Sequence, residues 1–401
     1  MFSTRWRKVV RELWSNRTRT MLVIASIAVG IFAVGTVQLL RSVILSELKV
    51  IYAETNVAQA VVFTNGVDQD QLDAIGRMRE VADVQGRSTL PLKVQTKPDK
   101  QETLLVTSID DFNDIRINRI QPIYSLPSKP AVGTEQTAWP QKDEIVIERS
   151  GFNSATALPA GLAVGDKLTL QNQDDRPREV TLSGVVYDPN GFSANFTGQA
   201  TGYVDLDTFE RLGGARTFQQ VLVRVNGTPE QLLDKEYITS IANKVADKIE
   251  KGGYTVARVQ VPEPGKLALQ DLFDALALLL TPLGLLALLL SGFLVVNTIS
   301  ALMAQQVRQI GVMKAIGARR PQIVVMYLGA VLIYSVAALV VAVPLTVLVA
   351  GGLAAFLGSF INVTFPRWSL PLNVVAIQLL VGILVPLLAA LLPVFRGTAV
   401  T

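Results

Sequence analysis

The sequence is 401 residues long, half of them hydrophobic and 17% charged, with a net charge of +4. It contains no cysteine and no histidine, which removes disulfides, thiolate and imidazole metal sites, and every Ser-His or Cys-His nucleophile pair. The charge is divided: residues 45–265 hold 23 Lys/Arg against 30 Asp/Glu, while the rest hold 14 against 3. The surplus bases sit beside apolar blocks, a pattern of membrane topology rather than of nucleic-acid binding.

In chain order, residues 1–20 read as a basic cytoplasmic amphipathic helix, with six bases against Glu12 and with Trp6 and Trp14 suited to headgroup level. Residues 21–41 read as the first transmembrane helix. An apolar run of this length reaches roughly 30 Å as a helix, the thickness of a hydrocarbon core. It is too long for the apolar region of a signal peptide, and no A-x-A site follows it. Past the membrane, Ile44, Leu48 and Ile51 alternate with Glu47, Lys49 and Glu54 at helical spacing, which extends the helix as a stalk.

Residues 42–265 read as an extracytoplasmic α+β domain carried on that stalk. β-rich runs occur at 60–64, 91–96, 103–107, 144–148, 167–170, 179–187, 219–225 and 254–261. One helix is expected at 69–79. A second follows Thr228-Pro-Glu-Gln231, a capping-box pattern; Ile238, Ile241, Ala242, Val245 and Ile249 form its apolar stripe and Gly252-Gly253 its end. Strand, helix, strand thus recurs at both ends of the domain around a mainly β insertion, and residues 117–140, with four prolines, read as an irregular loop. No Gly-rich phosphate loop follows a strand, and the acids lack EF-hand spacing.

Three more transmembrane helices are expected at 266–300, 323–351 and 372–396. They enclose a cytoplasmic loop at 301–322, a short extracytoplasmic loop at 352–371 and a cytoplasmic C-terminus at 397–401. Arg308, Lys314, Arg319 and Arg320 stand in the first loop without an acid, and Arg367 stands alone in the second; the positive-inside rule therefore puts both termini in the cytoplasm. Pro282, Pro344 and Pro386 interrupt the spans, where each removes a backbone hydrogen bond. No charge lies deep in a span, which argues against a proton relay. Ser26 and Gly30 in the first span, with Gly284, Ser291 and Gly292 in the second, are small enough for close helix packing, between two subunits or within one. The fold class is an α-helical membrane protein with four transmembrane helices and an α+β extracytoplasmic domain between the first two. No cofactor, metal site or catalytic pair is expected, and no G-x-x-x-x-G-K-[ST] loop exists for ATP.

The stretch Arg308-Gln-Ile-Gly-Val-Met-Lys-Ala-Ile-Gly-Ala-Arg-Arg-Pro-Gln-Ile323 resembles the loop motif of FtsX/MacB-type permeases of ABC transporters. The N-terminal Arg11-Glu-Leu-Trp-Ser-Asn-Arg-Thr-Arg-Thr-Met-Leu22 resembles that family's N-terminus. Asp143-Glu-Ile-Val-Ile-Glu148, Gly161-Leu-Ala-Val-Gly-Asp-Lys-Leu-Thr-Leu170 and Val180-Thr-Leu-Ser-Gly-Val-Val186 resemble its MacB-like periplasmic core domain. The resemblance implies a non-catalytic permease in the cell (inner, cytoplasmic) membrane. Such a subunit forms a homodimer or heterodimer and couples a separate ABC ATPase to motion of its outer domain, acting on lipoproteins, peptides, amphipathic drugs or lipids with or without a periplasmic adaptor.

The resemblance also implies that Gln305, Arg308, Gln309, Ile310, Gly311, Met313, Lys314, Ile316, Gly317 and Ala318 form a coupling helix. Ile310, Met313 and Ile316 would then supply its apolar contact, and Arg308 and Lys314 would steer it to an acidic groove. The family commonly has a glutamate where this chain has Gln309. Members also usually continue into a short basic helix beyond the last span, so a sequence stopping at Thr401 reads as truncated or as the first half of a longer permease. The rival reading is a transmembrane sensor that signals to a cytoplasmic partner or an outer hydrolase without transport.

Topology is directly testable in a cysteine-free chain. Single cysteines at Asn172 and Gly358 should react with a membrane-impermeant thiol reagent in intact cells, and those at Ser15 and Gln306 only after permeabilisation. Labelling of the latter pair in intact cells would refute the arrangement.

Overall fold

A computed structural model describes residues 17–97, 100–123, 139–153, 158, 162–172, 176–265, 270–363 and 371–399. The basic N-terminal segment with Trp6, Trp14 and Ser15, much of the proline-rich loop at 117–140, Gly161 and Arg367 lie outside the described residues. The elements are α1 (Arg17–Thr55), β1 (Ala60–Val67), α2 (Gln69–Gly76), β2 (Val81–Arg87), β3 (Thr89–Lys97), β4 (Lys100–Ile109), β5 (Gln121–Pro122), β6 (Glu144–Glu148), α3 (Arg149–Asn153), β7 (Lys167–Gln171), β8 (Pro177–Tyr187), α4 (Ala194–Thr197), β9 (Ala200–Asp205), α5 (Leu206–Arg211), β10 (Phe218–Val225), α6 (Lys235–Lys251), β11 (Val256–Gln260), α7 (Gln270–Ala315), α8 (Arg320–Ile361) and α9 (Leu372–Gly397). They divide into two units. The first holds the chain up to Ser46, Asp271–Ala355 and Phe365–Thr401; the second holds Glu47–Gln270 and Phe356–Thr364.

The first unit is helical. α1, α7, α8 and α9 each carry a stretch long and apolar enough to cross a membrane, with mean hydropathy of 2.3, 2.4, 2.5 and 2.7, so the chain is a multi-pass membrane protein. Ile27 and Ile31 of α1, Val295, Ile299 and Met303 of α7, Tyr327, Val331 and Ala338 of α8, and Ala390 and Val394 of α9 close one apolar core. The helices overrun the expected spans: α7 has 46 residues and α8 has 42, about 69 and 63 Å at 1.5 Å per residue. Where a 22-residue loop was expected at 301–322, only residues 316–319 leave the helices. Nothing between residues 301 and 316 breaks a helix, so propagation past the membrane adds one hydrogen bond per residue until Gly317. α8 likewise continues past residue 351, because residues 352–361 contain no proline.

The second unit is α+β and holds two sheets. One has the order β11-β1-β10-β2, wholly antiparallel, and is covered by α2 and α6, whose Leu72, Ile75, Ile238, Ile241, Val245 and Ile249 fill its core. With one helix after β1 and one before β11, this is a split βαβ pair. The other elements lie between β2 and β10. In the second sheet, β8-β6-β9-β4-β3-β7 closes on itself through a β7–β8 pairing, with β5 added outside. The closed sheet surrounds Leu92, Leu104, Val106, Ile145, Ile147, Leu168, Leu182 and Phe209.

The sequence pattern misses β2, β5 and β9. β2 carries Asp83 and Gly86, and β9 carries Ala200, Gly202 and Asp205, residues of low strand propensity that are recruited by cross-strand pairing. Glycine at 202 leaves room for the Ile145 side chain, whose Cδ1 would lie 2.6 Å from a Cβ there and would have to shift.

The expected capping box forms, with Thr228 N–H donating to Gln231 Oε1 at 2.9 Å and Gln231 N–H to Thr228 Oγ1 at 3.4 Å. It caps only a single 3-10 turn at Gln231–Leu233, and α6 is capped separately by Asp234, which accepts from Glu236 N–H. Asp234→Ala should therefore cost about 1 kcal/mol of α6 stability, read by hydrogen exchange of the α6 amides, whereas Thr228→Ala should leave them nearly unchanged.

Candidate functional site

Two helix stops in the described residues organise the polar chemistry. α7 ends in a Schellman motif: Ala318 N–H donates to Met313 C=O and Gly317 N–H to Lys314 C=O, both at 2.9 Å, with Gly317 at φ +93°. A left-handed residue at this position closes the last turn, and glycine reaches it without strain. The residues implied to form the coupling helix are therefore the last turns of α7 and the turn after it, not a separate helix.

These residues divide into two faces. Met303 and Gln306 are buried, Ile310 is 1% exposed in the apolar core of the helical unit, and Met313 and Ala318 pack against that core. Lys314 is half-buried. Tyr327 donates its hydroxyl to Gln306 Oε1, and Arg320 Nη2 donates to Phe395 C=O at 3.0 Å, capping the end of α9. The opposite face exposes Gln305, Arg308, Gln309 and Gly311, with Val312 58% and Ile316 81% exposed. Of the residues expected to supply the apolar contact, Ile310 and Met313 pack in the chain's own core and Ile316 points outward, beside Val312. Gln306, being buried, is also a poor labelling position; Gln309 on the exposed face serves that purpose.

The small residues of the first two spans meet within the chain. Ser291 Oγ donates to Ser26 C=O at 2.7 Å, and a Cβ on Gly30 would lie 2.7 Å from Ser291 Cβ. A Cβ on Gly284 would meet α1 backbone at 3.7 Å, whereas at Gly292 no atom lies within 4 Å. A further polar residue passed over in the sequence is Gln378 of α9, 1% exposed. It donates to Thr346 Oγ1 at 3.0 Å and occupies the space a Gly35 side chain would need.

The second stop lies in the α+β unit. At the end of α8, Val363 N–H donates to Gly358 C=O at 3.0 Å and Asn362 takes φ +59°, a conformation asparagine tolerates. Asn362 is then held through its side-chain amide and its backbone carbonyl by residues at the end of β6, the start of α3 and just after β8. Its Oδ1 accepts from Arg149 Nε at 2.9 Å and its backbone C=O from Arg149 Nη2 at 2.7 Å. Its Nδ2 donates to Glu148 Oε1 at 2.5 Å and to Asp188 C=O at 3.0 Å. The register places these groups together, since Glu148 pairs with Val186 on parallel β8, just before Tyr187 and Asp188. The Arg149 guanidinium stacks 3.8 Å from the Tyr187 ring centroid, a cation–π contact.

Glu148 is 2% exposed. Its Oε2 accepts from Ser150 N–H at 2.8 Å and from the Ser150 hydroxyl. Burial pushes its pKa above the ordinary glutamate value; the Ser150 and Asn362 hydrogen bonds pull it back in part, and the Asp188 carboxylate raises it. Tyr203 donates to Asp188 Oδ2 at 2.5 Å, and burial first, then that carboxylate, hold its phenol well above the usual value. Asn362 had one sequence signal, an asparagine at the end of a long apolar helix; the convergence of Glu148, Arg149 and Asp188 on it had none. Among the described residues no group of three acids could hold a metal.

Residues 283–400 match the family model described as FtsX-like permease C-terminal. Among solved structures, the chain is similar to the extracellular domain of a noncanonic ABC-type transporter YknZ from Gram-positive bacteria, at 11% identity over 49% of this chain and 100% of that one, with a TM-score of 0.32. It is also similar to the periplasmic region of MacB from Actinobacillus actinomycetemcomitans, at 12% identity over 52% of this chain and 91% of that one, with a TM-score of 0.31. Likenesses at that level bear on neither substrate nor partner. No curated protein matches the chain.

Asn362→Ala should leave a Glu148 oxygen and the Arg149 donors without their partner, costing about 2 kcal/mol of protection in β6 and residues 356–363 by hydrogen exchange. The pH dependence follows from the raised Glu148 pKa. The contribution is fully present below the ordinary glutamate value and is lost as pH rises through the folded-state value. After correction for intrinsic exchange, protection of β6 should therefore rise on acidification through that window, and Glu148→Gln should abolish this increment.

Proposed function

With an FtsX-like permease C-terminal region over residues 283–400 as its premise, we propose that the chain is the permease subunit of an ABC transporter. In this reading it works as a dimer, takes its energy from a separate ATPase and moves its α+β unit to act on lipoproteins, peptides, amphipathic drugs or lipids. The observation that carries the reading is the exposed stripe Gln305, Arg308, Gln309, Val312 and Ile316 at the end of α7. Its spacing puts three cationic or amide groups and two apolar side chains on one face, a shape that suits the groove of a soluble partner.

The face sits on a helix with no break between residues 270 and 315, so displacement at its end is carried along the axis instead of being absorbed in a loop. α1 is equally continuous from Arg17 to Thr55. ATP-driven approach of two ATPase subunits would move the paired α7 ends together, and α1 and α7 would pass that motion on as a hinge or shear. The +11 surplus outside residues 45–265 supports a cytoplasmic position for this turn, with the α+β unit on the opposite side. The 401 residues contain no G-x-x-x-x-G-K-[ST] sequence, which is why the reading places ATP on a separate subunit.

The test separates the two faces of α7. Val312→Ala with Ile316→Ala should lower co-purification of the ATPase and its stimulation by about tenfold, the loss expected of apolar anchors in an interface, with unchanged yield of folded chain. Ile310→Ala with Met313→Ala should instead reduce the yield and thermal stability of the chain itself. Full coupling in the Val312/Ile316 variant would leave the turn as a topological anchor only.

A further inference from the structure

The antiparallel sheet of the α+β unit ends on β2, and its register fixes which way that edge strand points its backbone. Val223 C=O accepts from Gln59 N–H at 3.0 Å on the β1 side of β10, so Leu222 and Arg224 turn their backbone groups to β2. Their partners there are Gln85 and Asp83. Val84 and Gly86 therefore direct N–H and C=O away from the sheet. Ser88 continues the same edge and is already paired: Ser108 N–H donates to its C=O at 2.8 Å, and its own N–H donates to Ser108 Oγ at 3.0 Å. β4 ends one residue later, at Ile109, and this pairing stops with it.

Along the open edge runs a groove of about 340 Å³. One wall is α2, with Leu72, Asp73 and Gly76, the last so near that a Cβ there would lie 3.2 Å from Val84 Cγ1. The other wall is the segment after β4, with Asp110, Asp111, Asp114 and Arg116. β2 itself holds that segment: Gln85 Nε2 donates to Asp114 C=O at 2.7 Å, and Gln85 Oε1 accepts from Arg116 and Ile117 N–H at 3.1 and 2.9 Å. Between the walls, Val84 N–H donates to the neighbouring Asp83 Oδ1 at 2.9 Å and Val84 C=O accepts from Arg116 Nη2 at 3.5 Å. Gly86 has no backbone partner on this side among the described residues. β2 also lacks the lysine or proline that blunts many sheet edges.

Charge decides what fits there. The lining holds five aspartates against Arg77 and Arg116. Arg116 is engaged by Asp83 and Asp114 at 2.8 and 3.1 Å, which leaves Asp73, Asp110 and Asp111 against Arg77. Partial desolvation raises the Asp110 pKa, and the Asp111 and Asp73 carboxylates add to the rise against the opposing pull of Arg216. Like charge gathered on a partly desolvated wall favours an incoming cation, while backbone groups left unused along an edge strand favour an extended main chain. An extended segment with basic side chains meets both demands, because alternate side chains of a strand reach opposite walls.

We propose that the open edge of β2 is a docking groove for an extended cationic peptide segment, which adds as a further strand along Val84 and Gly86 and sets lysine or arginine side chains against Asp73 on one wall and Asp110 and Asp111 on the other. Main-chain hydrogen bonds hold the segment and the aspartates select its charge. The groove lies wholly within the α+β unit and its use needs neither an ATPase nor the exposed stripe of α7, so it stands or falls apart from the permease reading.

The test titrates the full chain, in nanodiscs of neutral phosphatidylcholine, with a fluorescein-labelled octapeptide of alternating lysine and valine; empty nanodiscs are the blank. Anisotropy should show saturable binding, and hydrogen exchange should show new protection of the Gly86 amide. Asp110→Asn with Asp111→Asn should weaken binding about tenfold, with the protection of β2 and β10 in the peptide-free chain unchanged. The same octapeptide N-methylated throughout its backbone keeps its charges, loses its N–H donors and should not bind. Undiminished binding of the N-methylated peptide overturns the proposal and reduces the groove to an ion-exchange surface. Equal binding of an octapeptide with glutamate in place of lysine overturns it as well. Gly86 protection that appears without peptide and grows with chain concentration overturns it in favour of edge-to-edge pairing of two copies.

Discussion

A chain crossing hydrocarbon must satisfy every backbone N–H and C=O within its own segment, and most of this structure follows from that demand. It turns each apolar block into a helix, and it leaves no reason for the helix to stop at the membrane boundary. α7 and α8 therefore run to 46 and 42 residues, until a residue that accepts positive φ closes them. Those residues are Gly317 and Asn362. Both stops coincide with the groups of greatest interest, because a helix end exposes carbonyls and redirects side chains that a continuous helix would line up in rows.

At Asn362 the stop also becomes an attachment. A carboxylate removed from water is tolerated only when its lone pairs are used, and Glu148 meets that condition with the Asn362 amide on one oxygen and Ser150 on the other. Because Arg149 holds Asn362 at both its side-chain and its backbone oxygen, no one of these groups can be changed without stranding another. Charge, hydrogen bonding and backbone conformation are thus coupled at one residue. Tyr203 and Asp188 extend the same network into the closed sheet.

Within the helical unit, packing decides which small and apolar residues remain exposed. Ser26, Gly30, Gly284 and Ser291 are consumed where α1 and α7 touch, and small residues there let backbones approach without a hydrophobic drive between helices. Gly292 alone of that set has open space around it. The same sorting at the end of α7 turns Ile310 inward and Ile316 outward, so that a face read as uniformly amphipathic is really divided between the chain's own core and the exposed surface.

The sequence by itself determined the class of the molecule: four apolar runs of spanning length, an α+β segment after the first, no histidine or cysteine chemistry, and a C-terminal region, residues 283–400, that matches the FtsX-like permease model. These are local properties, set by run length, periodicity and residue type. The stripe Ile238, Ile241, Ala242, Val245 and Ile249 was legible for the same reason, as one face of one helix. What only the tertiary structure decided depends on residues far apart in sequence. The choice of Asp234 over Thr228 as the cap of α6 is one case. The recruitment of β2 and β9 by their neighbours despite weak propensity is another. The meeting of Glu148 with Asn362 across 214 positions is the clearest, because periodicity reports which way a side chain points from its own element and carries no information about which group will be waiting there.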